Sequence, residues 1–220
     1  MTERTGPPRV SGTALPPEFF LRVMDDYYAD PEEVRAFALS ADFAKPFTGS
    51  WAGTHSLQRH PRTAEVFHEL ARRTGIPGKP NWDEIERSRL FWGRPSAGVF
   101  ALLLDGQHDA IHAHKRTGRW AAVCYLSASR DCEGREGLRL FRHRPTGAFS
   151  CAGASREQLL RFREDAADPA LWDLAHVIDM RFNRMVLFDG QYFHAASDGF
   201  GGDARTGRLA QLFAIDFALS

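Results

Sequence analysis

The stretch Asp109-Ala-Ile-His-Ala-His-Lys115, running on to Trp120-Ala-Ala-Val-Cys-Tyr-Leu-Ser127, constrains this chain more than any other. It reads as two strands joined by a short basic turn. Successive side chains of a strand point to opposite faces, so His112 and His114 share one face while Ile111 and Ala113 take the other. Two imidazoles one residue apart on one face can close on a single metal ion. A third histidine, His194, comes far downstream, after the strand-like run Arg184-Met-Val-Leu-Phe188 and the turn signal Asp189-Gly190. The pattern implies a metal site inside a β-barrel, with Arg208 facing the same cavity.

The chain has 220 residues, 43% of them hydrophobic, which is enough for a sizeable core in one all-β domain. Seventeen phenylalanines suit a sheet lined with rings. Formal net charge is zero, so nothing in the balance argues for a nucleic-acid or membrane surface. Cys124, Cys132 and Cys151 are an odd number and make no disulfide framework; they read as reduced thiols in a cytoplasmic protein. Residues 1–17 are polar and rich in Pro, Gly and Thr, which reads as a loose tail rather than a signal peptide or anchor. Residues 18–220 then read as a single domain, because no repeat or linker divides them. No run is long and apolar enough to span a bilayer.

Taken in order, residues 19–24 form a first strand. Asp30-Pro31-Glu32-Glu33 opens a helix, with the aspartate as cap, proline in the first position and acids in the first turn. Residues 43–58 read as loop or ragged strand. A second helix spans about Arg62 to Thr74, with Val66, Phe67, Leu70 and Ala71 on one face and Gly75 and Pro77 ending it. The two helices are expected to cover the outside of a sheet. Strand patterns follow at 88–92, 98–104, 111–114, 120–127 and 138–143. A helical insert near 155–174 begins with the capping box Ser155-x-x-Gln158 and continues with a short turn from Asp168-Pro169 to Leu174. Strands return at 177–181, 184–188 and 208–217. Helices first and many short strands afterwards imply a mainly β fold with peripheral helices, a jelly-roll or cupin-like barrel.

The order His112-x-His114, then Tyr125-Leu126, then Gly137-Leu-Arg-Leu-Phe141, then Phe188, His194 and Arg208-Leu209 resembles the iron(II)/2-oxoglutarate dioxygenase superfamily. The spacing is similar to that of its prolyl-hydroxylase-like branch. It is closer still to a poorly characterised branch known by a domain-of-unknown-function label, which pairs an Asp-Pro helix start with an Asn-Arg strand before the distal histidine, as in Asp30-Pro31 and Asn183-Arg184. The resemblance runs from about residue 20 to the end. It implies a double-stranded β-helix, two iron-binding histidines at His112 and His194, and an arginine, Arg208, that anchors the distal carboxylate of the cosubstrate 2-oxoglutarate. It further implies oxidation by O2 of a small molecule or an amino-acid- or peptide-like substrate. Two positions depart from the family. His114 stands where it has Asp or Glu, and Ala210 stands where it often has Ser or Thr.

The first departure changes the chemistry. Oxygen activation at non-haem iron needs three protein ligands on one face of the ion and open positions elsewhere. Exchanging carboxylate for imidazole keeps that geometry and removes one negative charge. An all-imidazole site also admits copper or zinc beside iron(II). Around Arg208, a guanidinium offers a planar fork to a carboxylate, and along the last strand Ala210 leaves room beside it. Arg205, in a Gly/Asp/Thr loop, is the fallback and is expected to face water.

Other readings stay open at this point. His108 shares the parity of His112, and Asp109 and Asp198 are alternative carboxylate ligands. Tyr125 either hydrogen-bonds the cosubstrate or packs in the core. His55, His60, His68, His143 and His176 read as surface or structural, and Cys124 as a small core residue. Arg139, Arg142 and Arg144 either meet an anionic substrate or form a solvated face, and Trp51, Trp92 and Trp120 are candidates for the pocket wall. Three functions compete. One is a 2-oxoglutarate-dependent oxygenase; another is a three-histidine cupin-type dioxygenase that uses no keto acid; the last is a non-catalytic jelly roll that binds metal or ligand. Oligomeric state has no signal in the sequence.

Overall fold

The computed structural model describes residues 15, 19–45, 52–76, 79–80, 97–114, 119–215 and 217–218. Its elements begin with β1 (Leu21–Met24), α1 (Pro31–Ser40), β2 (Phe43–Ala44), β3 (Thr54–Arg59), α2 (Thr63–Thr74), β4 (Lys79–Pro80) and β5 (Val99–Leu103). They continue with β6 (Trp120–Tyr125), the single turn α3 (Ser129–Cys132), β7 (Glu136–His143), α4 (Arg156–Asp165), a 3-10 turn (Pro169–Leu171) and β8 (Trp172–Asp179). Last come β9 (Met185–Asp189), β10 (His194–Ala196), β11 (Arg208–Ile215) and β12 (Phe217–Ala218).

Local chemistry sets the helix ends. The Asp30 carboxylate accepts from the Glu33 N–H at 3.1 Å, and Pro31, which has no N–H to leave unsatisfied, takes the first turn of α1. Gly75 closes α2 in the left-handed region (φ 66°), donating its N–H to the Ala71 carbonyl. Ser155 and Gln158 make the reciprocal capping box of α4.

Seven strands form one antiparallel sheet in the order β1-β9-β6-β11-β5-β3-β2. A second antiparallel sheet has the order β10-β7-β8, and β12 pairs with β4. The register divides the large sheet into two faces, because residues directly opposite each other share a side. On one face Leu209, Phe213, Phe100, Ala122, Cys124, Leu187 and Met185 pack with Val34 and Ala38 of α1 and Val66, Phe67 and Leu70 of α2. On the other, Ala210, Tyr125, Val123, Ala121, Val186 and Phe188 pack against Leu138, Leu140 and Ile178 of the small sheet. Each large apolar side chain buried this way contributes about 1.5–3 kcal/mol. Covered on both sides, β5 and β9 are buried along their whole length, which is why they read as continuous apolar runs instead of alternating ones.

The fold is thus mainly β with few helices, as expected, and α1 and α2 cover one face of the large sheet. The ladders do not close into a barrel among the described residues; β1 and β2 are open edges. Residues 111–114 are not a ladder strand. Only His112 pairs, in an isolated bridge to His194. Residues 54–59, expected as loop or ragged strand, join the large sheet. The turn after Asp168 ends at Leu171, and β8 starts at Trp172. The expected strand at 88–92, together with Trp51, Trp92, Lys115 and most of the tail, lies outside the described residues.

Candidate metal centre and its cavity

His112 and His194 meet through their backbones first. Each donates its N–H to the other's carbonyl at 2.9 Å, so the bridge sets the two rings side by side. His194 starts β10, in register with Leu140, and its ring packs edge-on against Phe188, centroids 4.8 Å apart. His114 arrives by a different tie. Its N–H donates to the Gly190 carbonyl at 2.6 Å, at the Asp189-Gly190 turn after β9. A β-carbon on Gly190 would stand 2.9 Å from the His114 Nδ1, so glycine there is a packing requirement of the site.

The three rings lie with centroids 4.3 Å (112–194), 4.9 Å (114–194) and 5.4 Å (112–114) apart. One ligand nitrogen from each falls within 4.8 Å of the others. Three nitrogens bound to one ion at about 2.1 Å sit roughly 3.0–3.4 Å apart, a distance that small side-chain rotations reach from here. The hydrogen bonds choose the tautomers. The His112 Nδ1 lies 2.8 Å from the Ala110 carbonyl and the His194 Nδ1 lies 2.7 Å from the Tyr192 carbonyl. A carbonyl only accepts, so in each neutral ring Nδ1 carries the proton and Nε2 keeps its lone pair. Burial, then the neighbouring His112, holds the His114 imidazole down to about 3. Burial, His112 and His114 hold His194 well below its ordinary value, with the Tyr192 carbonyl acting the other way. Both are neutral at physiological pH and ready to donate. The donor set fits a borderline divalent cation.

The three histidines line a cavity of about 90 Å³ that opens to solvent at its mouth. Much of its wall is small or apolar, including Ala101, Ala121, Leu103 and Phe188; its polar groups include Asp109, His55 and Arg208. Arg208 is only 2% exposed. Its Nε donates to the Ser197 hydroxyl at 3.3 Å and its Nη2 to the Gly137 carbonyl at 3.0 Å, and no carboxylate among the described residues pairs with it. Burial pulls its pKa down, with Tyr125 and Asp109 acting the other way. Tyr125 is fully buried below Gly137, with the Arg208 guanidinium 5.8 Å from its ring; its hydroxyl has no partner among the described residues, and burial pushes its pKa up.

His108 is exposed and pairs with Asp198 at 2.9 Å, away from the three rings, and Asp198 also holds Arg139. Asp109 lines the cavity without reaching the cluster; its Oδ2 is 3.8 Å from the His112 Nδ1. Arg139, Arg142 and Arg144 form ion pairs with Glu136, Asp198 and Asp173. Trp120 packs on the helix side with Phe20, not in the cavity. Arg205 is exposed, as expected. His143 is buried, tied to Asp165 and Thr146 at 2.9 Å each. His55 reads as surface or structural in the sequence, yet in the structure it pairs opposite Ala101 and lines the cavity, a placement that only strand pairing reveals.

Residues 104–214 match the family of unknown function DUF6445. No curated protein matches the chain. Among solved structures, it is similar to a prolyl hydroxylase from Trichoplax adhaerens in complex with a hypoxia inducible factor oxygen degradation domain peptide, at 16% identity and TM-score 0.45 over 89% of this chain and 83% of that one. A prolyl-4-hydroxylase from Pseudomonas putida is similar at 15% identity and TM-score 0.45, over 91% and 94%. HygX from Streptomyces hygroscopicus, with nickel and 2-oxoglutarate bound, is similar at 13% identity and TM-score 0.47, over 93% and 88%.

Proposed function

This chain belongs to the family of unknown function DUF6445, and we propose that it is a non-haem metal-dependent oxygenase using iron(II) and 2-oxoglutarate. The observation that carries the reading is the convergence, in one cavity, of three imidazoles with a buried guanidinium that has no carboxylate partner among the described residues. An arginine buried without a counter-ion costs several kcal/mol unless something anionic completes it. The two facing sheets are read as an open form of the double-stranded β-helix. The resemblance of residues 112–209 to the 2-oxoglutarate dioxygenase pattern points the same way.

In this reading His112, His114 and His194 hold the metal, with iron(II) favoured and copper or zinc as the alternatives that imidazole donors admit. Bound iron(II) would activate O2 at positions that the three histidines leave open, with the keto acid as reductant. The residues do the rest. Arg208 uses two of its five N–H groups on Ser197 and Gly137, so a fork remains for a distal carboxylate. Tyr125, the other cosubstrate candidate, does not line the cavity; it sits beneath Gly137 with its ring 5.8 Å from the Arg208 guanidinium, and its part is to pack behind that arginine. Phe188, Leu103 and the alanine wall make the cavity lining mostly apolar, and its open mouth is where a small molecule or an amino-acid- or peptide-like side chain would enter. The chain is read as one domain acting in the cytoplasm; no helix among the described residues is long and apolar enough to cross a membrane.

Anaerobic addition of 2-oxoglutarate to the iron(II)-loaded protein tests the reading. A visible charge-transfer band that saturates at one keto acid per chain is expected; no band and no keto-acid binding would defeat it. The absence of a carboxylate from the clustered donors favours one second reading, a three-histidine dioxygenase that needs no keto acid. Oxygen uptake without keto acid would mark that case.

A further inference from the structure

The antiparallel bridge of His112 and His194 sets up an expectation for the residues beside it. The next hydrogen-bonded pair of such a ladder lies two residues on, here Ala110 with Ala196, and the Ala196 N–H would donate to the Ala110 carbonyl. It does not. The Ala110 carbonyl accepts from the Nδ1 of His112 at 2.8 Å, and the Ala196 N–H donates to the Asp109 Oδ2 at 3.0 Å. One carbonyl has been withdrawn from the ladder to hold a ring, and a side-chain carboxylate has taken its place.

We propose that Asp109 is a positioning residue of the three-histidine site: by accepting from Ala196 it frees the Ala110 carbonyl to fix the His112 ring with Nε2 toward the cavity. The inference rests on the metal-site reading given above, and it deepens that reading without making Asp109 a ligand. Asp109 also ties residues 109–112 to β10, the strand that carries His194, so the segments bearing two of the histidines move together. Its side chain is mostly buried and lies 3.8 Å from the His112 Nδ1. That places a negative charge behind the ring of a donor set that has none of its own, where it strengthens the Nδ1–H dipole and the basicity of Nε2.

The test compares wild type with Asp109→Ala and Asp109→Asn in the full chain, using two readouts. In metal-free protein labelled with 15N-histidine, the ring nitrogens of His112 report the Nδ1–H tautomer in wild type. The same tautomer is expected in Asp109→Asn, whose amide oxygen still accepts from Ala196, and a mixture in Asp109→Ala. Cobalt(II) affinity, measured by chelator competition, is expected to fall about 10–100-fold in Asp109→Ala and to recover to within a few-fold of wild type in Asp109→Asn. Asp109→Ala with wild-type tautomer and affinity would overturn the proposal. If Asp109→Ala does not fold, Asp109→Asn decides, because losing the tautomer with an acceptor present is equally contrary. Wild type that binds no cobalt would defeat the metal-site reading instead, and the tautomer comparison would still judge Asp109.

Discussion

Replacing Arg208 with methionine separates what the arginine does for binding from what it does for folding. Two of its N–H groups are committed, to Ser197 and Gly137, which leaves a pair of parallel donors for a carboxylate. Each charge-assisted hydrogen bond is worth about 1.5–3 kcal/mol, so losing two costs roughly 3–6 kcal/mol of binding. At about 1.4 kcal/mol per tenfold, 2-oxoglutarate should bind ~10²–10⁴-fold more weakly. Stability should move the other way or not at all. The Gly137 carbonyl keeps the Ser197 N–H at 2.9 Å, the Ser197 hydroxyl still donates to the Glu136 carbonyl, and a buried guanidinium without an ion-pair partner among the described residues is removed. Calorimetric titration with 2-oxoglutarate and a thermal melt of the keto-acid-free protein read the two effects. Unchanged keto-acid affinity, or a melting temperature more than about 10 °C lower, would refute the reasoning, the second because it would make Arg208 a structural tie.

Gly190→Ala should push the His114 ring out of place, because the added carbon meets its Nδ1 at 2.9 Å and its Cβ at 3.1 Å; metal affinity is expected to drop at least about tenfold while the fold persists, as chelator competition and circular dichroism would show. Asp25 pairs with the buried Arg184, whose hydrogen bond holds the carboxyl below its ordinary value. A depressed carboxyl stabilises the fold above its unfolded pKa of about 3.9 and loses that contribution as pH falls through the folded value, so melting temperatures from pH 6 to pH 2 should fall more steeply in wild type than in Asp25→Asn. Ser155→Ala removes one half of the α4 capping box and should cost about 1 kcal/mol in denaturant unfolding without changing metal affinity.

The clustering of the three histidines was more legible in the sequence than the path of the chain. Parity alone put His112 and His114 on one side, and the long interval to His194 announced a returning strand. Yet residues 111–114 achieve this outside a regular ladder, because the Ala110 carbonyl serves a ring and His114 pairs with a turn residue, and no periodicity encodes either choice. Helix starts were legible because capping is local, as at Asp30 and Ser155. His55 and the 54–59 strand were not, since their meaning depends on pairing with β5, more than forty residues away. The Asn183-Arg184 pair, part of the family pattern in the sequence, is a clamp in the structure. The Asn183 side chain bonds both the N–H and the carbonyl of Tyr28, and Arg184 holds Asp25. Such long-range ties look like ordinary polar residues in a linear sequence. In the sequence Asp109 reads as an alternative ligand; the positioning part proposed for it rests on the hydrogen bonds of its neighbours, which no spacing encodes.

The proposed function turns on whether three imidazoles share one cation. Metal content after purification without chelators, followed by anaerobic reloading with iron(II), measures this directly in wild type and in a His112→Ala/His194→Ala double variant. One tightly held ion per chain in wild type and none in the folded double variant is the expected result. A wild-type protein that retains no metal, or a double variant that retains as much, would contradict it.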